Sequence, residues 1–160
     1  MVSIREVKEE DNAALAKVIR QVLIDIGVPK VGTAYADPEL DFMYEAYQKE
    51  DRSAYFVIEE DGVVLGGAGI APLAGEDPKI CELQKMYFLP QGRGRGLGQQ
   101  MIQHCLGFAK TKKFELCYLE TLPYMQAAQK LYLKTGFTYI DGPMGSTGHT
   151  SCNVWLTKAL

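Results

Sequence analysis

The sequence predicts a three-layer α/β domain with a mixed sheet, and three observations support that prediction. Apolar residues recur at helical spacing in four segments, while seven other segments show strand-like alternation or short apolar runs. The segments follow one another in the order β-α-α-β-β-β-α-β-α-β-β, with no repeat, linker or low-complexity tract between them. A chain of 160 residues can bury a sizeable core, so we expect one domain over residues 1–160.

The first third of the chain predicts one strand and two helices. Residues 3–7 alternate in polarity, which is typical of a short strand. A helix follows, with its apolar face formed by Leu15, Val18, Ile19, Val22, Leu23 and Ile26. Gly27 ends this pattern, and residues 28–37 predict a loop. Asp37 as N-cap and Pro38 in the first turn then start a second helix.

The middle of the chain predicts an antiparallel hairpin and a long strand. Strands over residues 54–60 and 63–73 flank Asp61-Gly62, a typical two-residue hairpin turn. Three glycines interrupt the second of these strands: Gly66, Gly67 and Gly69. They indicate either a close approach by another backbone or a ligand, or a β-bulge. Residues 80–89 predict the long strand that leads into a glycine-rich turn.

The last part of the chain alternates helices and strands. A helix over residues 98–112 and a strand over 114–121 follow the long strand, so we expect a parallel pair with a right-handed crossover. Another helix covers residues 125–135, and Gly136 ends it as the C′ residue. Two closing strands surround a Gly-rich loop, at residues 137–140 and 152–156.

Composition excludes several classes of function. The net charge of −3 argues against nucleic-acid binding, which needs a basic face. No apolar run approaches the length of a membrane span, and the N-terminus lacks a signal-peptide pattern. The four cysteines form no C-x-x-C pair and there are only two histidines, so we expect free thiols, a cytoplasmic location and no metal site.

The run from Arg93 to Gly98, Arg-Gly-Arg-Gly-Leu-Gly, predicts an anion-binding turn. It connects a strand to a helix, so several unpaired N–H groups meet at the positive end of the helix dipole. The run matches neither G-x-G-x-x-G nor G-x-x-x-x-G-K-[ST]. Four glycines lie between Gly92 and Gly98, more than a plain strand-to-helix turn needs, which favours ligand binding over a turn with no ligand.

Two motifs resemble those of the GNAT acetyltransferase superfamily. Arg93, Gly96 and Gly98 fit its pyrophosphate loop R/Q-x-x-G-x-G/A, and residues 86–90 look like its approach strand. Residues 128–137 are similar to its A-x-x-L-Y-x-x-x-G-F segment, in the usual order and separation. The resemblance implies that acetyl-coenzyme A is the cofactor and that its acetyl group is transferred to an amine.

The resemblance also implies where the cofactor lies. The pyrophosphate is expected on the turn, and the pantetheine arm in a gap where the strands 80–89 and 114–121 splay apart. The backbone of Met86 and Phe88 would bond the arm and the thioester oxygen. The expected cofactor-binding residues are Met86, Tyr87, Phe88, Arg93, Gly94, Arg95, Gly96, Leu97, Gly98 and Gln99. Arg93 either contacts phosphate or points outward and acts through its backbone alone.

Two side chains are expected to move protons. By resemblance, Glu82 is the base that accepts the proton of the amine, and by parity it should face the same side as Gln84, Met86 and Phe88. The alternative for Glu82 is a solvated or ion-paired strand residue. By resemblance, Tyr132 is the acid that protonates the leaving thiolate; the alternative is a core tyrosine.

The acceptor site has weaker signals. The second helix is acidic and could attract a cationic amine, or it is an ordinary solvated face. Tyr35, Tyr44 and Tyr47 could line the cleft or merely pack. His149, in the loop of residues 142–150, is a spare base or a structural residue. The family often has an asparagine at the place of Met125. Substrate candidates are Tyr35, Glu45 and His149.

These observations predict an N-acetyltransferase that passes the acetyl group of acetyl-CoA directly to a small-molecule or amino-acid-like amine. No cysteine lies in a recognisable nucleophile context, so we expect no acetyl-enzyme. The alternatives are a non-catalytic acyl-CoA-binding module and an enzyme that acetylates a protein amine. Members of the family often form dimers through late strands, so a homodimer is an open expectation.

Overall fold

The computed structural model describes residues 1–160 and contains one seven-stranded mixed sheet, in the spatial order β1-β2-β3-β4-β5-β7-β6. The strands are β1 (Val2–Glu6), β2 (Ala54–Glu60), β3 (Val63–Pro72), β4 (Ile80–Phe88), β5 (Leu116–Thr121), β6 (Thr138–Ile140) and β7 (Val154–Ala159). All neighbouring strands are antiparallel except β4 and β5. The predicted fold class and element order are confirmed.

Four α-helices cover the sheet: α1 (Asn12–Asp25), α2 (Met43–Gln48), α3 (Leu97–Thr111) and α4 (Gln126–Lys134). One apolar cluster packs α1 and α2 on one face, around Leu15, Ile19 and Met43. The other cluster packs α3 and α4 on the opposite face, around Met101 and Cys105. This is the expected three-layer arrangement. None of the helices is long and apolar enough to cross a membrane.

The second helix is shorter than predicted. A 3-10 turn covers Pro38–Asp41, and Phe42, at φ −136° and ψ 44°, separates it from α2. Asp37 precedes that turn but makes no side-chain cap bond. Its carboxylate instead contacts two cationic side chains, those of Lys85 and His149.

The parallel pair β4–β5 opens into a fork. The two strands pair only at Ile80, Cys81 and Glu82, opposite Leu116, Cys117 and Tyr118. Beyond Glu82, β4 continues to Phe88 along β3, and β5 continues to Thr121 along β7. Each strand therefore keeps its outer partner while the inner edges separate, which leaves a gap at the centre of the sheet.

A β-bulge at Lys85 corrects one prediction. The register of β3 and β4 shifts between the pairs Gly67–Tyr87 and Gly69–Gln84, so β4 carries one extra residue, and Lys85 has a positive φ of 50°. The extra residue reverses the alternation of side chains. Glu82 and Gln84 lie on the α1–α2 face, whereas Met86 and Phe88 pack on the α3–α4 face. The expectation that all four face one side was wrong.

The glycines of β3 show both features that the sequence indicated, a close approach by other groups and an irregular strand pairing. A Cβ at Gly69 would lie 2.8 Å from the Tyr55 ring and 2.9 Å from the Tyr47 ring, so two aromatic side chains need that space. The register against β2 also shifts, between Ile58 and Glu59. Close approach and irregular pairing therefore occur together in this strand.

Candidate active site

The glycine-rich turn before α3 presents a row of free main-chain donors. Gly94 and Gly96 adopt φ of +70° and +74°, a region that favours glycine. The first helical bond runs from the N–H of Gln100 to the carbonyl of Gly96. The N–H groups of residues 94–99 consequently have no main-chain acceptor, and they lie at the positive end of the dipole of α3. This geometry suits a phosphate or diphosphate.

A cleft of about 650 Å³ begins at this turn. It passes between the end of β4 and the start of α4. The predicted cofactor-binding residues that line it are Met86, Tyr87, Phe88, Arg93, Gly94, Gly96, Gly98 and Gln99. Sequence reasoning did not select Tyr124 and Leu131, which also line it. A nucleotide with a long apolar arm fits this combination of backbone donors and apolar walls.

Two predicted members of that set point elsewhere. The guanidinium of Arg95 forms a salt bridge of 2.7 Å with Glu60 of β2, which raises the pKa of Arg95. The side chain of Leu97 is buried in the α3–α4 core. Neither residue lines the cleft, so each can contribute only its free main-chain N–H group. Arg93 bends back, and its Nε donates to the carbonyl of Phe88 at 2.9 Å.

Tyr132 stands where the cleft meets the gap in the sheet. A smaller cavity of about 40 Å³ lies between the splayed strands, and it shares four lining residues with the large cleft: Met86, Tyr87, Met125 and Tyr132. The Tyr132 side chain is buried, which raises the pKa of its phenol to about 12. The phenol is therefore protonated throughout the neutral range.

Glu82 lies at the point where β4 and β5 diverge. Its side chain is only 7% exposed, and one oxygen, Oε1, accepts a hydrogen bond of 2.7 Å from Gln84. Burial raises the pKa of Glu82 to about 7, the Gln84 bond opposes this rise, and the nearby charge of Glu120 adds to it. A carboxylate with such a pKa can accept and release a proton near neutrality.

An ion cluster around the buried Lys85, formed with the partly exposed Asp37, Glu39 and His149, lies on the same face. Lys85 Nζ contacts Asp37 at 3.0 Å and Glu39 at 3.1 Å, and His149 Nε2 lies 2.9 Å from both Asp37 oxygens. The Asp37 bond raises the pKa of His149, so this imidazole is biased toward its cationic form. Burial alone would raise the pKa of Asp37, but its two cations lower it.

The loop of residues 141–153 lies over this face. The hydroxyl of Thr147 donates to Glu120 at 2.7 Å, and the N–H of Met144 donates to the Tyr118 hydroxyl at 3.2 Å. Tyr118 in turn donates to Glu120 at 2.6 Å. The His149 contact with Asp37 closes the loop at its far end, so the loop covers the side of β5 next to Glu82.

Two predicted substrate residues are engaged away from the fork. Glu45 accepts hydrogen bonds from the Asn12 side chain at 2.6 and 3.2 Å. Tyr35 packs beside the α1–α2 core, with the Lys30 ammonium 5.4 Å from its ring centroid. Neither residue lines the cleft or the gap cavity. His149 is near the fork, but its ring nitrogen is committed to Asp37.

Sequence reasoning missed Gln84, Lys85, Tyr118 and Glu120 as members of this polar face. A signal for some of them exists in the sequence. Glu82 and Gln84 alternate within an otherwise buried strand, and Tyr118 and Glu120 alternate in its parallel neighbour. Polar residues with a period of two in central strands indicate a polar site on one face. Lys85 breaks that period and could not be placed without the bulge.

Comparison with known proteins gives a consistent result. Residues 23–137 match the family model described as the Acetyltransferase (GNAT) family. The chain is 44% identical over 157 residues to the uncharacterized N-acetyltransferase YjgM of Escherichia coli strain K12, covering 98% of this chain and 93% of that protein.

Solved structures agree on the fold. A GNAT-family acetyltransferase from Staphylococcus aureus Mu50 superposes with a TM-score of 0.88 at 19% identity, covering 100% of this chain and 99% of that one. The structure of YncA from Salmonella typhimurium, described with its cofactor acetyl-CoA, gives a TM-score of 0.80 at 22% identity, covering 100% and 94%.

Proposed function

The chain belongs to the acetyltransferase (GNAT) family, and on that premise we propose that it transfers the acetyl group of acetyl-CoA to the amine of a small cationic molecule. The observation that carries the proposal is the fork in the sheet. A cleft lined by free main-chain donors leads to the gap, and a buried carboxylate with a pKa of about 7, that of Glu82, belongs to the last pair of residues before β4 and β5 separate.

The free N–H groups of residues 94–99 would hold the pyrophosphate of acetyl-CoA. Leu89 donates its N–H to β3, so alternation along β4 turns the N–H groups of Phe88 and Met86 toward the open edge. There they can hydrogen-bond an extended pantetheine arm as a further strand would. The bound cofactor supplies a thioester at the gap.

Glu82 would serve as the base. An amine attacks only in its neutral form, and a lysine-like ammonium has a pKa of about 10.4. The second oxygen, Oε2, has no hydrogen-bond partner in the protein and is available to the amine, directly or through one water. Glu82 would take one proton from the ammonium and release it to solvent. The neutral nitrogen would then bond to the acetyl carbon and give its second proton to Glu82, while the bond from that carbon to sulfur breaks and the sulfur leaves as a thiolate.

Tyr132 would serve as the acid. Its hydroxyl, at the junction of the cleft and the gap cavity, can donate to the departing sulfur and is regenerated from solvent. The high pKa of the phenol means that Tyr132 keeps its proton at the pH where Glu82 is ionised. One pH range therefore supports both roles.

The charges on the acceptor face favour a cationic acceptor over an amino acid. Both cations of the ion cluster, Lys85 and His149, are already paired with carboxylates. Glu82 and Glu120 have hydrogen-bond donors but no cationic partner, so an excess of negative charge remains. A carboxylate beside the reacting amine would be repelled, whereas a second ammonium would be attracted.

An amine-panel assay with coenzyme A release as its readout tests the proposal. The panel contains aliphatic diamines and polyamines, matched amino acids and lysine-containing peptides. We expect acetyl transfer with a preference for the diamines or polyamines. Release of coenzyme A with none of these amines would instead support a non-catalytic acyl-CoA-binding role, and preference for peptides would support a protein substrate. A stably acetylated cysteine, detected by mass spectrometry, would contradict direct transfer.

A further inference from the structure

Tyr47 and Gln84 form a partly buried chain of hydrogen bonds that ends on Glu82. The Tyr47 hydroxyl donates to Oε1 of Gln84, and Nε2 of Gln84 donates to Oε1 of Glu82 at 2.7 Å. Tyr47 belongs to α2 and is 5% exposed, whereas the other two residues belong to β4. The chain therefore links a helix on one layer to the carboxylate at the fork.

We propose that Gln84, oriented by Tyr47, is a positioning residue that holds Glu82 in the ionised state and geometry needed to accept a proton. The inference rests on the proposed role of Glu82 as base. The reason is that a primary amide has two different ends. Its NH₂ group stabilises a carboxylate, whereas its carbonyl oxygen stabilises only a protonated carboxyl group.

Tyr47 holds the amide in the orientation that suits a carboxylate. Its hydroxyl donates to the amide carbonyl, and the NH₂ group of Gln84 faces Glu82. The Tyr47 ring is fixed by a tilted contact with Tyr55, at 5.4 Å between centroids. Tyr55 in turn donates its hydroxyl to the carbonyl of Lys85 at 2.7 Å, within the bulge. The same pair of rings therefore supports both the amide and the bulge.

This arrangement also directs the free oxygen of Glu82. Because Gln84 occupies Oε1, the lone pairs of Oε2 remain for an acceptor ammonium or a bridging water. Without the amide, the carboxyl group would lose its donor in a site where burial already favours protonation. The base would then be protonated over more of the neutral range.

Other groups around Glu82 act on its charge without touching it. The carboxylate of Glu120 opposes ionisation of Glu82. The neutral groups near Glu82 are the hydroxyls of Tyr47 and Tyr118 and the thiols of Cys117 and Cys152. The cations that favour ionisation are His149 and Lys85. Gln84 is the sole hydrogen-bond donor to the Glu82 carboxylate, so its removal is distinguishable from these longer-range effects.

A titration of Glu82 in the free protein tests the inference without an acceptor or turnover. Glutamate side-chain carboxyls are labelled with ¹³C, and the Glu82 signal is identified as the one missing from Glu82→Gln. We expect a wild-type midpoint at about 7. In Gln84→Leu, and in Gln84→Met as a second variant, the midpoint should rise by roughly one pH unit, because the one donor to the carboxylate is lost.

Tyr47→Phe should raise the midpoint in the same direction by about half as much, because the amide is then free to turn. Tyr44→Phe is the matched control on the same helix, and its midpoint should equal that of the wild type. Midpoints unchanged in the folded Gln84 variants would overturn the inference. If the midpoints move as expected but Glu82→Gln still transfers acetyl groups at the wild-type rate, the base assignment fails while the coupling stands.

Discussion

The two sides of the fork in the sheet bind by different means. The cofactor side is built mainly from the main chain: a run of free N–H groups in one short turn, with glycines that allow its conformation. The acceptor side is built from side chains of α2, β4, β5 and two loops, which meet through hydrogen bonds and ion pairs. A local segment can create the first kind of site, whereas the second kind requires the whole fold.

The largest expected effect separates these two sides. Glu82→Gln removes the proposed base but keeps the shape of the side chain, so kcat should fall roughly 10²–10⁴-fold. The dissociation constant of acetyl-CoA should stay unchanged, since that site lies across the gap. Steady-state kinetics and calorimetric titration measure the two quantities. Glu115→Gln, at an exposed glutamate paired with Lys79, is the control and should behave as the wild type.

Tyr132→Phe tests the residue at the junction of the two sides. Loss of the hydroxyl should lower kcat roughly 10–100-fold while acetyl-CoA affinity changes little. The hydroxyl has no hydrogen-bond partner in the protein, so the melting temperature should not fall. Tyr139→Phe, at an exposed tyrosine of β6, is the control. Wild-type turnover in Tyr132→Phe across the pH range would contradict the acid role.

Gly96→Ala tests the main-chain side alone. An alanine at φ +74° is strained by about 1 kcal/mol, and the turn should relax away from its binding geometry. Acetyl-CoA affinity should fall roughly tenfold, while the titration midpoint of Glu82 stays at its wild-type value. The matched control is Gly107→Ala in the interior of α3, where nothing lies within 4 Å. It should leave affinity intact and increase helix stability. Equal effects of both substitutions would contradict the role of the turn.

The smallest expected effect concerns the ion pair between His149 and Asp37. The folded-state pKa of His149 is raised, so its contribution to stability is complete below about 6.5 and is lost as pH rises through the folded value. The pKa of Asp37 is lowered, so its contribution is lost as pH falls through its folded value. His149→Gln should lower the melting temperature most near pH 6.

Thermal unfolding at pH 6 and pH 9 measures this difference. A loss of about 1 kcal/mol in the free energy of unfolding lowers the melting temperature by roughly 2–4 °C for a chain of this size. The difference in melting temperature between variant and wild type should be smaller at pH 9. A melting-temperature difference that stays constant from pH 6 to pH 9 would show that the pair contributes through packing rather than charge. Cofactor affinity should not change, because His149 does not line the cleft.

The sequence predicted the cofactor side of the fork better than the acceptor side. The turn, the helix after it and the parallel pair were predicted because glycine spacing and apolar periodicity are local signals. The contact between Arg95 and Glu60 was not predicted, because the two residues lie 35 positions apart in the sequence. The contact between His149 and Asp37 spans 112 residues. Motif resemblance selected Glu82 and Tyr132, but their surroundings depend on which loops the fold brings over the sheet.

The bulge is a second reason why the sequence did not predict the whole site, because it changes which face of the sheet each β4 side chain occupies. Counting by twos from Glu82 is correct as far as Gln84 and fails at Lys85. A bulge depends on the register between two strands, and the sequence of one strand does not specify it. The positive φ of Lys85, a residue that seldom adopts it, is stabilised by long-range partners: Tyr55 on its carbonyl, Asp37 and Glu39 on its ammonium.

The bulge at Lys85 also bears on how this protein can be re-engineered. Because of the one extra residue, side chains before the bulge and side chains after it alternate independently. Substitutions before the bulge change the side chains that face the acceptor amine. Substitutions after it change the wall of the cofactor cleft. Exchanging side chains at positions 82 and 84 therefore preserves the alternation after the bulge. Deleting a single residue between 84 and 87 would instead rotate one half of the strand against the other, and it should damage both halves of the reaction at once.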